Sequence, residues 1–245
     1  MKMKDIKLIA LDMDGTLLDE HHKVSRENDH AIKEAEKQGV TVVLSTGRSI
    51  RRVRDYVVSL QLSSYLVTIN GSEIWGPSGE LVERNPLMTP YLQWMLDLSK
   101  THKAKYWAVS TTDNWYNEVP EDVAAHEWLK FGFDIKDDAV RDTILGELRK
   151  NNNLEISNSS LTNIEVNALG VNKAKGLRRV CELLGVSMEN VMAVGDSLND
   201  ISMIKESGLG VAMGNAQPVV KEAADWITGS NTGSGVAQAI RKWVL

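Results

Sequence analysis

Three apolar runs of strand length each stop abruptly at polar residues able to carry chemistry. This repetition constrains the fold more than any other feature of the 245-residue chain. Residues 6–11 run into Asp12-Met13-Asp14-Gly15-Thr16, residues 40–44 into Ser45-Thr46-Gly47-Arg48, and residues 191–194 into Gly195-Asp196-Ser197-Leu198-Asn199-Asp200. A short apolar run bounded by turn formers reads as a strand buried on both faces. A helical pattern over 26–38, capped by Ser25 and stopped by Gly39, follows the first run, and one over 50–60 with Ser49 as its cap follows the second. Such alternation implies a parallel sheet with right-handed crossovers. In open α/β sheets ligands bind outside the carboxyl ends of the strands, so acids far apart in sequence can meet there.

Asp12 and Asp14 lie two residues apart at a strand end, so both can face one crevice. Paired carboxylates suit a hard cation, or a nucleophile working beside an acid/base. Alone, Asp-x-Asp-Gly is better explained by a solvated turn, because Asp and Gly are turn formers. The second acidic cluster, Asp196 to Asp200, reverses that balance. The hydroxyls and backbone N–H groups of 45–48, placed before a helix, make a phosphate cradle.

These motifs, in this order, resemble the haloacid dehalogenase superfamily of phosphohydrolases, and most closely its Cof-like branch, which carries a large cap between the second and third motifs. Ile69-Asn70-Gly71-Ser72-Glu73-Ile74 and Val211-Ala212-Met213-Gly214-Asn215-Ala216 also look alike. The third motif usually reads Lys-Gly. Here Lys173 is followed by Ala174, and Lys175-Gly176 comes next, so two lysines compete; the position after Gly170-Val171-Asn172 favours Lys173. The resemblance implies an α/β fold: a Rossmann-like parallel-sheet core (residues 1–84 and 168–245) with an inserted α/β cap domain (85–167). It also implies a Mg²⁺-dependent phosphatase that hydrolyses small-molecule phosphate monoesters through an aspartyl-phosphate, the ester being a sugar phosphate, nucleotide or cofactor phosphate. Asp12 would be the nucleophile and Asp14 the acid/base. Thr46, Gly47, Lys173 and Asn199 would bind the phosphoryl group. Mg²⁺ would sit on Asp12, the Asp14 backbone carbonyl and Asp196, with Asp200 supporting them or binding through water. A phosphotransferase or phosphomutase of the same superfamily is the nearest alternative. A phosphometabolite-binding sensor is another, against which stands the presence of both Asp12 and Asp14, since binding alone needs no proton donor.

The rest of the chain fits this outline. A hairpin pairs 72–75 with 81–84. From 85 to 167 the acid-ended strands stop, and the pattern predicts helices over 90–100, 121–130 and 139–150 with strands over 105–109, 115–117, 154–157 and 164–166. Then come helix 173–184, strand 191–194, helix 201–206, strands 209–212 and 226–227, and helix 235–243. Net charge is −5, so no global basic field draws nucleic acid. The local run Arg48, Arg51, Arg52, Arg54 reads as a solvated helix face near the phosphate site. No apolar run approaches the ~20 residues of a membrane span, and no signal-peptide pattern precedes the first strand; the expected location is cytoplasmic. The one cysteine, Cys181, reads as a small buried hydrophobe. His21 and His22 fall in a turn and read as solvated. Trp94, Trp107, Trp115 and Trp128 in the insert read mostly as its core, with stacking on a flat substrate ring as the less favoured alternative. Oligomeric state is not legible.

Overall fold

The structure is a computed structural model that describes residues 5–245. The start of the chain, Met1 to Lys4, read as a lead-in to the first strand, lies outside the described residues. The first sheet contains β1 (Leu8–Leu11), β2 (Thr41–Ser45), β3 (Leu66–Thr68), β4 (Glu73–Trp75) and β5 (Leu81–Arg84). The chain then builds a second sheet from β6 (Lys105–Ser110), β7 (Asn114–Tyr116), β8 (Trp128–Asp134), β9 (Leu154–Ser157) and β10 (Asn163–Ala168). It returns to the first with β11 (Val191–Gly195), β12 (Leu209–Ala212) and β13 (Trp226–Ile227). The first sheet has the order β13-β12-β11-β1-β2-β3-β4-β5 and the second β7-β6-β8-β10-β9. From β13 to β3 all neighbours are parallel, whereas the hairpin strands β4 and β5 and every pair of the second sheet are antiparallel.

Helices α1 (Arg26–Lys37), α2 (Arg54–Leu60), α5 (Lys173–Leu184), α6 (Ile201–Glu206), α7 (Pro218–Ala223) and α8 (Gly235–Trp243) flank the first sheet, while α3 (Thr89–His102) and α4 (Asp138–Arg149) belong to the second. Alternate strand residues explain the two-faced burial. Ile9, Leu11, Val42 and Leu44 pack with Ile32 of α1 and Ile240 of α8; Leu8, Ala10 and Val43 pack with Leu177 and Val180 of α5. Each such leucine or valine contributes about 1.5–3 kcal/mol by leaving water. Cys181 is a free, buried thiol on α5, as expected.

Two local expectations fail. Residues 50–60 are not one helix: a short 3₁₀ turn, Ile50–Arg52, precedes α2, and Ser49 makes no side-chain cap bond. Residues 121–130 are not a helix either. A 3₁₀ turn, Val123–Ala125, is followed by β8, the middle strand of the second sheet. The Val-Ala-Ala stretch has helical spacing, but Trp128, Phe131 and Phe133 bury against Met95 and Ile144 of α3 and α4, and that burial decides the local structure. β8 also carries a bulge: Val109 pairs with Lys130 and Ser110 with Trp128, leaving Leu129 as the extra residue. Bulges re-aim side chains. Here Leu129 packs on Ile69 and the next residue, Lys130, reaches Gly47, so successive side chains both meet the segments that follow β3 and β2.

Candidate active site

The site forms where β1, β2 and β11 end. Asp12 extends the ladder by donating its N–H to Val194 O at 3.0 Å. The chain then turns sharply at Gly15, whose φ is +81°; a Cβ there would lie 2.5 Å from Asp196 Oδ2, so only glycine lets the Asp196 carboxylate in. Thr16 Oγ1 donates to Asp196 Oδ1 at 2.9 Å, tying the first motif to the last.

Lys173, the first residue of α5, is fully buried beneath these acids. Its Nζ donates to Asp12 Oδ1 at 2.5 Å and to Asp200 Oδ1 at 2.6 Å. Lys175 instead donates to Asn85 Oδ1 at 3.3 Å, so of the two competing lysines Lys173 is the one that meets Asp12. Asp200 Oδ2 accepts the N–H groups of Asp196 and Ser197 at 2.9 and 3.0 Å, which folds the 196–200 loop around it. Both of its oxygens are therefore engaged.

Asp12, Asp196 and Asp200 each bring an oxygen within 4.8 Å of the others. Burial pushes the Asp12 carboxyl well above its ordinary value; Lys173 opposes this, and Asp200 and Asp196 add to it. Burial and the Asp200 charge push Asp196 up to about 6. Burial works against the Lys173 ammonium, yet its two carboxylate partners outweigh burial and raise its pKa. Three acids around one lysine leave uncompensated negative charge, and a hard divalent cation with oxygen ligands fits that donor set.

Asp14 sits at the opening. Arg48 Nε and Nη2 grip its carboxylate at 2.7 and 2.5 Å, a bidentate pair. Burial acts to raise its pKa, but Arg48 prevails and holds it below the usual range. Exposed His22 stands 3.6 Å from Asp14 Oδ1 and 3.2 Å from Arg48. Arg48 is thus no member of a solvated helix face, although Arg51 and Arg54 are exposed. Thr46 is buried, with its hydroxyl accepting Arg48 N–H at 3.2 Å. Asp12, Asp14, Gly47 and Asn199 line a cavity of about 250 Å³ whose opposite wall belongs to the second sheet.

Two buried charges on that wall escaped the sequence reading. Lys130 Nζ donates to Gly47 O at 2.9 Å and lies 3.4 Å from Glu165 Oε2. Glu165 also accepts from Asn70 Nδ2 at 2.7 Å and Ser159 Oγ at 2.8 Å. Burial would raise the Glu165 carboxyl, but Lys130 and these donors keep it low. Asn70, equally readable as a bare turn residue, is buried with φ +58° beside Ile69 at φ +52°. A β-branched residue in that region is strained. The strain places the Asn70 amide between the sheets, 3.4 Å from Asn199 Nδ2. The available signal was a charge set among aromatic and branched residues, Leu129-Lys130-Phe131 and Ile164-Glu165-Val166. Lys130→Met is expected to destabilise the protein by roughly 3–5 kcal/mol, because it strands Glu165 without its cation. Adding Glu165→Gln should recover part of that loss. A double-mutant cycle of urea melts checks this, and a coupling below about 0.5 kcal/mol would mean that the charges do not support each other.

Fold and site together define a hydrolase that hangs its acids from the strand ends of a Rossmann-like sheet and roofs them with a second, inserted sheet. The chain belongs to the haloacid dehalogenase-like hydrolase family, whose sequence model matches residues 9–143 and 120–240. It is 61% identical over 241 residues to the 5-amino-6-(5-phospho-D-ribitylamino)uracil phosphatase of Bacillus subtilis (strain 168), a match covering 98% of this chain and 97% of that one. A haloacid dehalogenase-like hydrolase from B. subtilis superimposes with a TM-score of 0.89 at 24% identity, over 96% of this chain and 99% of that one. Another, from Bacteroides thetaiotaomicron, gives 0.81 at 28% identity, over 97% and 99%.

Proposed function

We propose that this phosphatase removes the phosphate of 5-amino-6-(5-phospho-D-ribitylamino)uracil, using Mg²⁺ and an aspartyl-phosphate intermediate, in the cytoplasm. The substrate rests on the relative at 61% identity. The chemistry rests on one observation: Asp12, buried against Lys173 and beside Asp196, opens with Asp14 onto a single cavity. Residues 1–84 and 168–245 then act as the catalytic core and 85–167 as the cap.

An Asp12 oxygen attacks phosphorus while the ester P–O bond breaks, and the leaving oxygen takes a proton from Asp14. Asp14 then removes a proton from water, which attacks the same phosphorus, releasing inorganic phosphate and restoring Asp12. Arg48 must leave Asp14 for that carboxyl to carry a proton, and the incoming phosphate dianion is the natural competitor for the guanidinium. The Gly47 N–H, Lys173 and Asn199 hold phosphoryl oxygens as charge builds on them, and Thr46 shapes the cradle. Asp12, Asp196 and the Asp14 carbonyl would hold Mg²⁺, with Asp200 fixing their loop. When bound, the cation neutralises the repulsion between carboxylate and phosphate.

The test is phosphate release from a panel of phosphate esters with Mg²⁺ and with chelator. The ribitylaminouracil ester should turn over fastest, at least about tenfold ahead of simple sugar phosphates in kcat/KM, a gap of some 1.4 kcal/mol. Chelation should remove activity, and excess Mg²⁺ should restore it. Release that survives chelation overturns the metal. Transfer to an added sugar in place of water favours a phosphotransferase, and tight binding without release favours a sensor.

A further inference from the structure

From the cavity wall we infer that Trp107 is the specificity-determining residue of this phosphatase: a stacking platform for a neutral heteroaromatic ring at the far end of the leaving group. The inference rests on the phosphatase reading and deepens it. The chain has seven tryptophans, and Trp107 is the one that lines the cavity with Asp12 and Asp14. The others are engaged elsewhere. Trp128 is buried with its Nε1 donating to Val123 O at 2.7 Å, and Trp115 Nε1 donates to Ser110 Oγ at 3.2 Å. Trp94 packs into the helix side of the second sheet. Trp75 Nε1 donates to Glu73 Oε2 at 3.2 Å. Trp226 and Trp243 pack edge to face on each other.

The platform is built into the sheet. Trp107 on β6 pairs with Gly132 of β8 on one side and with Tyr116 of β7 on the other. A Cβ on Gly132 would fall 2.2 Å from Trp107 Cζ2, so the indole lies directly across the glycine backbone, and any other residue there would push it off. The strand supports one side of the indole, and the ring lines the cavity. Tyr116 continues the wall, with its hydroxyl 3.4 Å from Arg52 Nη1 of the 3₁₀ turn that precedes α2. Asn114 lines the same wall and offers an amide to a ring edge. The cavity, about 250 Å³, is more than a phosphate fills. Its mixed charges, Arg48, Arg52 and Lys130 against Asp12, Asp14 and Glu165, favour a hydroxylated linker and a ring that is polar yet neutral.

The experiment compares the ribitylaminouracil phosphate with ribitol 5-phosphate, which keeps polyol and phosphate but lacks the ring. Wild type, W107F, W107L and W107A are assayed by kcat and KM, with thermal melts alongside. W107A should lower the ratio of kcat/KM between ring-bearing and ring-free esters about 10- to 100-fold, mostly through KM, the size of one lost base–aromatic stack. W107F, still a flat face, should retain most of the ratio. W107L, which fills space without an aromatic face and so guards against simple collapse of the wall, should behave as W107A. An unchanged ratio in W107A, or W107L matching W107F, overturns the inference. If the wild type releases phosphate from neither ester, the phosphatase reading itself fails, which is a distinct result.

Discussion

Asp12→Asn should reduce phosphate release by at least about 10⁴-fold, as loss of an enzyme nucleophile does, while the protein stays folded. The amide has the carboxylate's shape but is no nucleophile, and it cannot form the acyl phosphate. Little stability should be lost. Burial and the neighbouring Asp200 and Asp196 already disfavour the Asp12 charge, so a neutral side chain relieves repulsion even as Lys173 loses one partner. Single-turnover phosphate release and a thermal melt test both halves. Activity within about 100-fold of wild type, a deficit that loss of a single acid/base group would explain, would remove Asp12 as the nucleophile.

Lys173→Met should do the reverse, damaging fold and activity together. It leaves Asp12 and Asp200 buried without their shared cation, which costs roughly 3–5 kcal/mol. For a chain of this size each kcal/mol lowers Tm by about 2–4 °C, so a drop on the order of 6–20 °C is expected. The deficit should depend on pH with a definite sign. A buried carboxyl whose folded-state pKa is raised binds protons more readily folded than unfolded, so stability rises as pH falls. The gap from wild type should narrow as pH falls from neutrality and the raised Asp12 carboxyl takes up its proton. A Tm that falls equally at all pH values would point to lost packing of the lysine stem instead.

Much of this was legible because sequence and tertiary burial agree along the first sheet. Strand ends at Asp12, Thr46 and Asp196 mark the crevice, and Ser25 caps α1 through Asn28 N–H as its position implies. Lys173 could be chosen over Lys175 from its position after Gly170-Val171-Asn172, where Asn172 caps α5 by accepting Lys175 N–H. Legibility failed where long-range partners overrule local pattern. Residues 121–130 have helical spacing, yet Trp128 is worth more inside the second sheet. Lys130 and Glu165 are isolated charges in apolar strands, and nothing local says that their partners are Gly47 and Asn70, more than eighty residues away. Arg48 reads as surface because its acceptor, Asp14, belongs to another loop. Trp107 is one tryptophan among several until Gly132 is found beneath it.

The extra residue in β8 separates two properties that usually travel together. Deleting Leu129 would restore a regular ladder in which Trp128 and Lys130 keep their present faces, because alternation then runs unbroken through them. What would disappear is the Leu129 carbonyl that receives Ser72 Oγ at 2.9 Å and Asn167 Nδ2 at 3.2 Å, along with the wedge against Ile69. A single-codon loss could therefore slacken the tether between roof and floor while sparing every side chain assigned to chemistry or recognition. Length variation at this one position is a route by which chains of this architecture can diverge in mobility without diverging in mechanism.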